Sequence, residues 1–159
     1  VGGAVAVGEQ PIKGLISPGA GARMTVAETL TNLLAAPITD IRDVKMSGNW
    51  MWAAKCEGEG ARLVEACDAL CKALAAVGCA IDGGKDSLSM AAKVGDELAP
   101  GTLVLSAYAP CPDVTKVLTP DFKGPKVGTD CTKIIYVRMG CSLKHNRLGG
   151  SALAQALRQ

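Results

Sequence analysis

Two glycines, a lysine, a carboxylate and two hydroxyls are brought together in the segment Gly83-Gly84-Lys85-Asp86-Ser87-Leu88-Ser89-Met90. Helical periodicity precedes this segment, and we expect it to form a loop between a helix and a strand. Such a loop lets the backbone approach a phosphate, with Lys85 meeting the negative charge and Asp86 recruiting a metal. A Walker A loop is excluded, because Cys79 and Asp86 stand where that motif has glycine and Ser or Thr. A plain tight turn would have the same composition, so both interpretations stay open.

Two amphipathic helices and a strand are predicted upstream of this segment. Ser17 and Pro18 are typical of an N-cap and a first helical position, and we expect the first helix to run from about Pro18 to Ala35. The second helix is predicted over Ala61 to Val77, with Gly78 as its stop signal and an apolar face formed by Leu63, Cys67, Leu70, Leu74 and Val77. Between the two helices, alternating apolar and polar residues predict a strand over Ile38 to Ser47.

Downstream, Ser87 to Val94 and Thr102 to Ala109 predict two strands joined in a hairpin by the turn-forming residues between them. Prolines and glycines then indicate a connector, and a further strand is predicted over Thr132 to Met139, with a helix beginning near Ser151. The order of elements predicts an α/β (α+β) fold, in which a mixed sheet packs with helices. We expect a first domain at 1–112, a linker at 113–130 and the beginning of a second domain at 131–159.

Composition limits the classes of function. The formal net charge of +2 and the aromatic content of 3% provide neither the basic surface nor the stacking side chains of a nucleic-acid binder. No apolar run reaches the roughly 18 residues of a membrane span, and no secretory signal is evident, so we expect a cytoplasmic protein without a membrane partner. The sequence does not begin with Met and stops within a helical pattern, and we expect it to be a piece of a longer polypeptide.

Seven cysteines form no Cys-x-x-Cys pair and no spacing that suits structural zinc. Cys67 and Cys71 are one helical turn apart, a spacing that permits a shared metal ion. Reduced cysteines that act as small core residues are the favoured interpretation.

Glu28 and Asn32 lie four residues apart on the first predicted helix, so their side chains project from one face. A carboxylate and an amide oxygen in this arrangement suit Mg²⁺, which prefers oxygen ligands and usually keeps waters and phosphate oxygens in its other positions. A solvated helix face is the alternative. A second candidate is the segment Ser47-Gly48-Asn49, which we expect to be a loop at the carboxyl end of the predicted strand, where ligands tend to bind in α/β sheets.

Taken in order, six motifs closely resemble the phosphoribosylformylglycinamidine synthase family, in its large, single-chain form. The resemblance extends over all 159 residues. The six motifs are Gly8-Glu9-Gln10-Pro11, Ala27-Glu28-Thr29-Leu30-Thr31-Asn32, Val44-Lys45-Met46-Ser47-Gly48-Asn49-Trp50-Met51, Gly84-Lys85-Asp86-Ser87-Leu88-Ser89-Met90, Leu103-Val104-Leu105-Ser106-Ala107-Tyr108 and Arg147-Leu148-Gly149-Gly150-Ser151-Ala152-Leu153-Ala154-Gln155.

The resemblance implies an ATP-dependent amidoligase of purine biosynthesis. Its family uses ATP, Mg²⁺ and ammonia released from glutamine to convert formylglycinamide ribonucleotide to formylglycinamidine ribonucleotide, glutamate, ADP and phosphate. The synthetase region of the family carries two copies of a fold shared with aminoimidazole ribonucleotide synthetase. This chain would be the N-terminal-type subdomain of the second copy, incomplete at its start, and the opening strand and helix of the C-terminal-type subdomain.

Site residues follow from the same resemblance. Glu28 and Asn32 match the family's Mg²⁺ ligands at an auxiliary ADP. Two segments, which include Lys45 and Asn49 in the first and Gly84, Lys85, Asp86 and Ser87 in the second, match loops that face the active site. Lys85 and Ser87 would contact nucleotide phosphate or substrate.

The resemblance also implies partners. Half of each site would come from the rest of the parent polypeptide, namely the first synthetase copy and the glutaminase domain, so the isolated chain is expected to be inactive. Two alternatives stay open: a structural module whose role is the interface between the two copies, and another ATP-dependent synthetase of the same superfamily. A homodimer of the isolated chain is expected if the interface is left uncovered.

Overall fold

The computed structural model describes residues 1–122, 133–137, 152 and 156–157. Two compact units divide the chain, Val1–Val117 and Leu118–Gln159. The first unit contains three α-helices, six strands and two 3₁₀ turns, Ile41–Asp43 and Val114–Lys116. In chain order the helices and strands are β1 (Gly2–Glu9), α1 (Pro11–Ile16), α2 (Pro18–Leu33), β2 (Lys45–Met51), α3 (Glu59–Val77), β3 (Ala80–Ser87), β4 (Lys93–Val94), β5 (Glu97–Leu98) and β6 (Thr102–Cys111).

Four of the strands form one mixed sheet in the order β1-β6-β2-β3. β6 is antiparallel to both β1 and β2, whereas β2 and β3 are parallel. α3 is the crossover between the two parallel strands, because parallel neighbours cannot be joined by a tight turn. β4 and β5 pair separately as a short hairpin.

Helices cover one face of this sheet. Along β6 the side chains of Leu103, Leu105, Ala107 and Ala109 are buried in alternation, as expected for a strand with one face on the core. The core continues into β2 through Met46 and into the helices through residues that include Val26, Leu70 and Leu74. The opposite face of the sheet carries the other half of each strand and is not covered by α2 or α3.

Small residues in β1 allow α2 to lie very close to the sheet. A Cβ atom at Gly8 would be 2.4 Å from Thr29 Oγ1 and 2.5 Å from Thr29 N, closer than any real side chain could be. α2 itself begins where predicted, since Ser17 Oγ accepts a hydrogen bond from Ala20 N at 3.3 Å and Pro18 occupies the first turn. The close packing of α2 on β1 holds the end of β1 beside the middle of α2.

The predicted fold class is confirmed, and so are α2, α3 and β6 to within a few residues. The loop predicted over Gly83 to Met90 is wrong, because its first half forms the end of β3 and pairs with β2. A pair of glycines is typical of a turn, but here the backbone of Gly83 and Gly84 continues as a strand. The strand predicted over Ser87 to Val94 is also wrong, since only Ser87, at the end of β3, and Lys93–Val94 are in strands.

The strand predicted over Ile38 to Ser47 begins too early. Asp40 accepts a hydrogen bond from Arg42 N at 2.8 Å and starts a 3₁₀ turn, so β2 starts only at Lys45. As a result, Ser47, Gly48 and Asn49 lie inside β2 and not in the loop that was predicted.

In the second unit, the strand predicted over Thr132 to Met139 is absent from residues 133–137, the part of it that the structure describes. A single strand needs a partner for its backbone hydrogen bonds, and none pairs with it among the described residues. Ala152 and Ala156 are helical. Leu157 is in a turn. The remaining residues of that predicted helix, and Leu148 to Ser151 at its start, lie outside the described residues.

Within the part of the chain that the structure describes, none of the helices combines the length and the apolar character needed to span a bilayer.

Candidate functional site

Glu28 and Asn32 project from α2 toward the end of β1. Glu28 Oε2 accepts a hydrogen bond from Glu9 N at 2.7 Å, and Asn32 Nδ2 donates one to Val7 O at 2.8 Å. Both side chains are therefore held by the backbone of a neighbouring strand rather than left free on a solvated helix face. The spacing of four residues on a helix and the close approach at Gly8 place the pair at this point.

The two hydrogen bonds also decide which atoms are available for a ligand. The bond to Val7 uses the amide nitrogen of Asn32 and leaves its Oδ1, and the bond from Glu9 uses Oε2 of Glu28 and leaves Oε1. One carboxylate oxygen and one amide oxygen are hard donors that fit Mg²⁺. No group of three or more His, Cys, Asp or Glu suited to a metal is found among the described residues. A metal held here would need further oxygens from phosphate, from water or from another part of a protein.

The second set of predicted site residues lies on β2 and β3. Because strand side chains alternate, Lys45, Asn49, Lys85 and Ser87 share the face that the helices do not cover, and we call these four residues the polar face. Asn49 pairs with Lys85 across the parallel ladder, and Lys85 Nζ donates a hydrogen bond to Ser87 Oγ at 2.9 Å. These three residues are brought together.

Lys45 stands apart from the other members of the polar face. It is four residues from Asn49 on one strand, which corresponds to about 13 Å. Its ammonium donates a hydrogen bond to Arg42 O at 2.9 Å and so lies beside the 3₁₀ turn before β2. That turn is highly polar, since Arg42 pairs with Asp40 at 2.8 Å. The hydrogen bonds from Arg42 hold the pKa of Asp40 well below its usual range.

Gly84 and Asp86 do not join the polar face, because they alternate to the other side of β3. A Cβ atom at Gly84 would be 1.9 Å from Gly48 O, and its φ is +156°. Gly84 is thus required for close pairing of β2 and β3. Asp86 lies opposite Trp50 in the ladder and faces the α3 side of the sheet, not Lys85 and Ser87.

One buried polar atom on the polar face has no hydrogen-bond partner among the described residues, and it is Oδ1 of Asn49. An orphaned buried acceptor costs free energy, on the order of 1–3 kcal/mol, unless a donor from a ligand or from another chain reaches it. Asn49 was predicted as a site residue, and its unpaired oxygen is an independent feature in favour of a binding role.

A Tyr–Asp pair on the same uncovered face was not predicted. The Tyr108 hydroxyl donates a hydrogen bond to Asp82 Oδ1 across the sheet, and this bond, followed by burial and the aspartate charge, raises the pKa of Tyr108. The two residues are 26 positions apart and lie on strands that are not direct neighbours. No local pattern in the sequence could have linked them.

The five cysteines that the structure describes are divided between the core and the surface. Cys79 and Cys111 are buried, as expected for small core residues, and Cys56 is half-buried. Cys67 and Cys71 on α3 are exposed, so the prediction that Cys67 belongs to the apolar face of this helix is wrong. The buried face is rotated toward Ala66, Ala69, Leu70 and Leu74, because α3 packs against α2 along its small residues.

Comparison with known proteins identifies relatives over the whole chain. The family model described as the FGAR-AT PurM_N-like domain matches residues 1–110. A probable phosphoribosylformylglycinamidine synthase from Caenorhabditis elegans is 62% identical over 161 aligned residues, which include 100% of this chain. The phosphoribosylformylglycinamidine synthases of Homo sapiens and Drosophila melanogaster are 56% and 58% identical, over 100% and 98% of this chain.

The chain spans only about an eighth of these relatives, namely 12% of the Caenorhabditis elegans and human proteins and 11% of the Drosophila protein. Two solved structures from Thermotoga maritima, PurLQS and phosphoribosylformylglycinamidine synthase II, have the same fold. Each has a TM-score of 0.60 at 18% identity and covers 76% of this chain and 20% of its own. The family model covers residues 1–110, and the chain belongs to the FGAR-AT PurM_N-like domain family.

Proposed function

We propose that this chain is the PurM_N-like part of a phosphoribosylformylglycinamidine synthase and supplies half of a Mg²⁺–nucleotide site. The whole enzyme would convert formylglycinamide ribonucleotide, glutamine and ATP to formylglycinamidine ribonucleotide, glutamate, ADP and phosphate, in the cytoplasm. Relatives that carry the synthase name match the chain over nearly its whole length, which supports this assignment.

The observation that carries the proposal is the pairing of Glu28 and Asn32 with the backbone of β1. Each side chain uses one polar atom in a hydrogen bond to that backbone, which leaves Oε1 of Glu28 and Oδ1 of Asn32 for a ligand. Rigid donors reduce the side-chain entropy lost on binding, so the arrangement favours a hard cation. Glu28 and Asn32 would hold the Mg²⁺, which would supply positive charge to offset the negative charge of a nucleotide phosphate.

The polar face contributes separately. Lys85 carries the positive charge that a phosphate requires, and Ser87 and Asn49 place a hydroxyl and an unpaired amide oxygen beside it. Lys85 would neutralise and orient a phosphate, while Asn49 would accept a hydrogen bond from substrate or from a partner. The site is incomplete within the described residues, and we infer that the isolated chain has no ligase activity.

A thermal-shift experiment on the intact synthase tests the metal assignment. Mg-ADP at about 100 times its Kd should stabilise the site-bearing domain by roughly 2.7 kcal/mol. In Glu28→Gln we expect this ligand-induced shift to disappear.

Glu65→Gln is the matched control, because Glu65 Oε1 also accepts a hydrogen bond from a backbone amide, but from Gly19 N in the first turn of α2, at 3.2 Å, and not from β1. The control should keep the shift. Equal shifts in both variants would refute the assignment of Glu28 as a metal ligand.

A second candidate role is an interface, and the uncovered face of the sheet favours it. Val5, Val7 and Tyr108 on this face are 72%, 49% and 41% exposed. Exposed apolar side chains on a sheet face are typical of surfaces that another chain covers. The partner would be another part of the parent polypeptide, and in the isolated chain a second copy could replace it.

Sedimentation of the isolated chain distinguishes this role. We expect a concentration-dependent dimer that Val5→Lys and Val7→Lys together convert to a monomer. Ile16→Lys changes a residue of similar exposure, 66%, on α1 and should leave the dimer intact. A wild-type chain that stays monomeric at all concentrations would argue against the interface.

A further inference from the structure

α3 carries two exposed thiols on the same side of the helix, outside the site described above. Cys67 and Cys71 are four residues apart, and both are exposed. Residues at this spacing are neighbours on a helix surface, with Cβ atoms about 5–6 Å apart. The pair has no packing role in the core, and the proposed function does not use it.

Helix geometry argues against a direct disulfide between these two thiols. A disulfide requires Cβ atoms about 3.5–4.5 Å apart, less than the separation that an intact helix gives at this spacing. One atom placed between the two sulfurs spans the longer gap without unwinding the helix. The pair therefore suits a ligand that binds two sulfurs at once.

We propose that Cys67 and Cys71 form a chelating dithiol site for thiophilic trivalent arsenic compounds. Each thiol forms one sulfur–arsenic bond and gives up its proton, and the oxide oxygen of the arsenical leaves as water. Arsenic stays trivalent throughout, so no oxidant or reductant is needed. Two sulfurs and one organic substituent complete its three bonds, and no third protein ligand is required.

The surroundings favour this chemistry over attack by a single thiolate. Although Cys67 is exposed, partial desolvation, the charge of and hydrogen bond with Cys71, and the charges of Asp68 and Asp86 raise the pKa of its thiol. The thiol is therefore mostly protonated at neutral pH and a poor nucleophile alone. An arsenical whose oxide oxygen leaves as water takes up the protons of both thiols, so its binding does not depend on a thiolate formed beforehand. Because Asp86 belongs to β3, the bound arsenical would sit next to the strand that carries Lys85 and Ser87.

Phenylarsine oxide is the probe, and intact-protein mass spectrometry of the chain under reducing conditions is the measurement. We expect one adduct whose mass equals the protein plus one phenylarsenic group less two hydrogens. Cys67→Ser and Cys71→Ser should each weaken binding by about 100-fold or more, since joining two binding events on one scaffold raises affinity by that order. Cys56→Ser should leave binding unchanged.

A geometric control keeps the number of cysteines constant. In Cys71→Ser/Lys72→Cys the second thiol is moved about 140° around the helix from Cys67, given 3.6 residues per turn. This variant should bind as weakly as the single serine variants. Equal binding by the wild type and this variant would overturn the proposal, as would an adduct that persists in both serine variants.

A second readout does not depend on the variants folding. In the wild type, phenylarsine oxide should protect Cys67 and Cys71 together from alkylation at alkaline pH, as read by peptide mapping. Protection of other cysteines instead would overturn the assignment.

Discussion

Gly84 holds β2 and β3 together, and Gly84→Ala is expected to release β3 from the sheet. The added methyl group would be 1.9 Å from the carbonyl oxygen of Gly48 and 2.9 Å from its carbon. Both are backbone atoms of β2, so a side-chain rotation cannot relieve the overlap. The substitution therefore forces either a shift of the parallel ladder or its opening.

The stability lost in Gly84→Ala has two contributions. An unfavourable φ for a residue with a side chain costs about 1–3 kcal/mol, and overpacking costs about 1–3 kcal/mol more. β3 is an edge strand whose residues from Ala80 to Asp86 are exposed, so detaching it loses little apolar burial. We therefore expect β3 to detach locally, because this costs less than keeping the strained ladder, and we expect the free energy of unfolding to fall by about 2 kcal/mol.

Native-state hydrogen exchange, read with a denaturant titration, measures both effects. Amides of β3 that bond to β2 should lose protection, while amides in the β1–β6 ladder keep theirs. Gly83→Ala is the control one residue away, because a Cβ atom there meets nothing within 4 Å. If Gly84→Ala is as stable and as protected as Gly83→Ala, Gly84 is not required for the pairing of β2 and β3.

Two further predictions concern the core and pH. Leu105→Ala removes a side chain with 0% exposure from the middle of β6. It should lower the free energy of unfolding, measured by denaturant titration, by about 2–5 kcal/mol. Val5→Ala on the uncovered face is the control and should lower the free energy of unfolding far less. In a Tyr136→Phe background, ultraviolet titration follows Tyr108 alone, and Asp82→Asn should lower its pKa toward the usual value near 10. Because the folded-state pKa of Tyr108 is raised, the stabilisation from this pair is present below about pH 10 and is lost as pH rises through the folded-state pKa. An unchanged Tyr108 titration in Asp82→Asn would contradict the pairing of Tyr108 with Asp82.

Elements with strong periodicity and explicit end signals could be predicted from the sequence. α2 has Ser17 and Pro18 at its beginning, and α3 ends at Gly78 in a left-handed conformation. β6 alternates between buried and more exposed positions through its length. In each case local preference and tertiary packing agree, which is why a single sequence was sufficient.

Glycine-rich strands could not be predicted. β1 is built largely from Gly, Ala and Val, and Gly83 and Gly84 in β3 resemble a turn. Their glycines are required by neighbours distant in the chain, Thr29 for Gly8 and Gly48 for Gly84. A pattern read along the sequence does not contain those contacts.

The arrangement of the candidate site residues could be predicted only in part, because it depends on contacts between residues that are distant in the sequence. The spacing of Glu28 and Asn32 indicated a shared face, but their anchoring to Val7 and Glu9 depends on where β1 lies. Lys85 and Asp86 were expected to act together as neighbours in a loop. In a strand, neighbours point to opposite faces, and the two are separated.

The metal and nucleotide content of the purified intact synthase is the most direct test of the proposed Mg²⁺–nucleotide site. It should be determined for the wild type, Asn32→Leu and Asn32→Asp. Leucine removes both the hydrogen bond to Val7 and the oxygen donor, whereas aspartate removes only the hydrogen bond. We expect Mg²⁺ and nucleotide to be lost together in Asn32→Leu and retained in the wild type and Asn32→Asp; retention of both in Asn32→Leu would contradict the account.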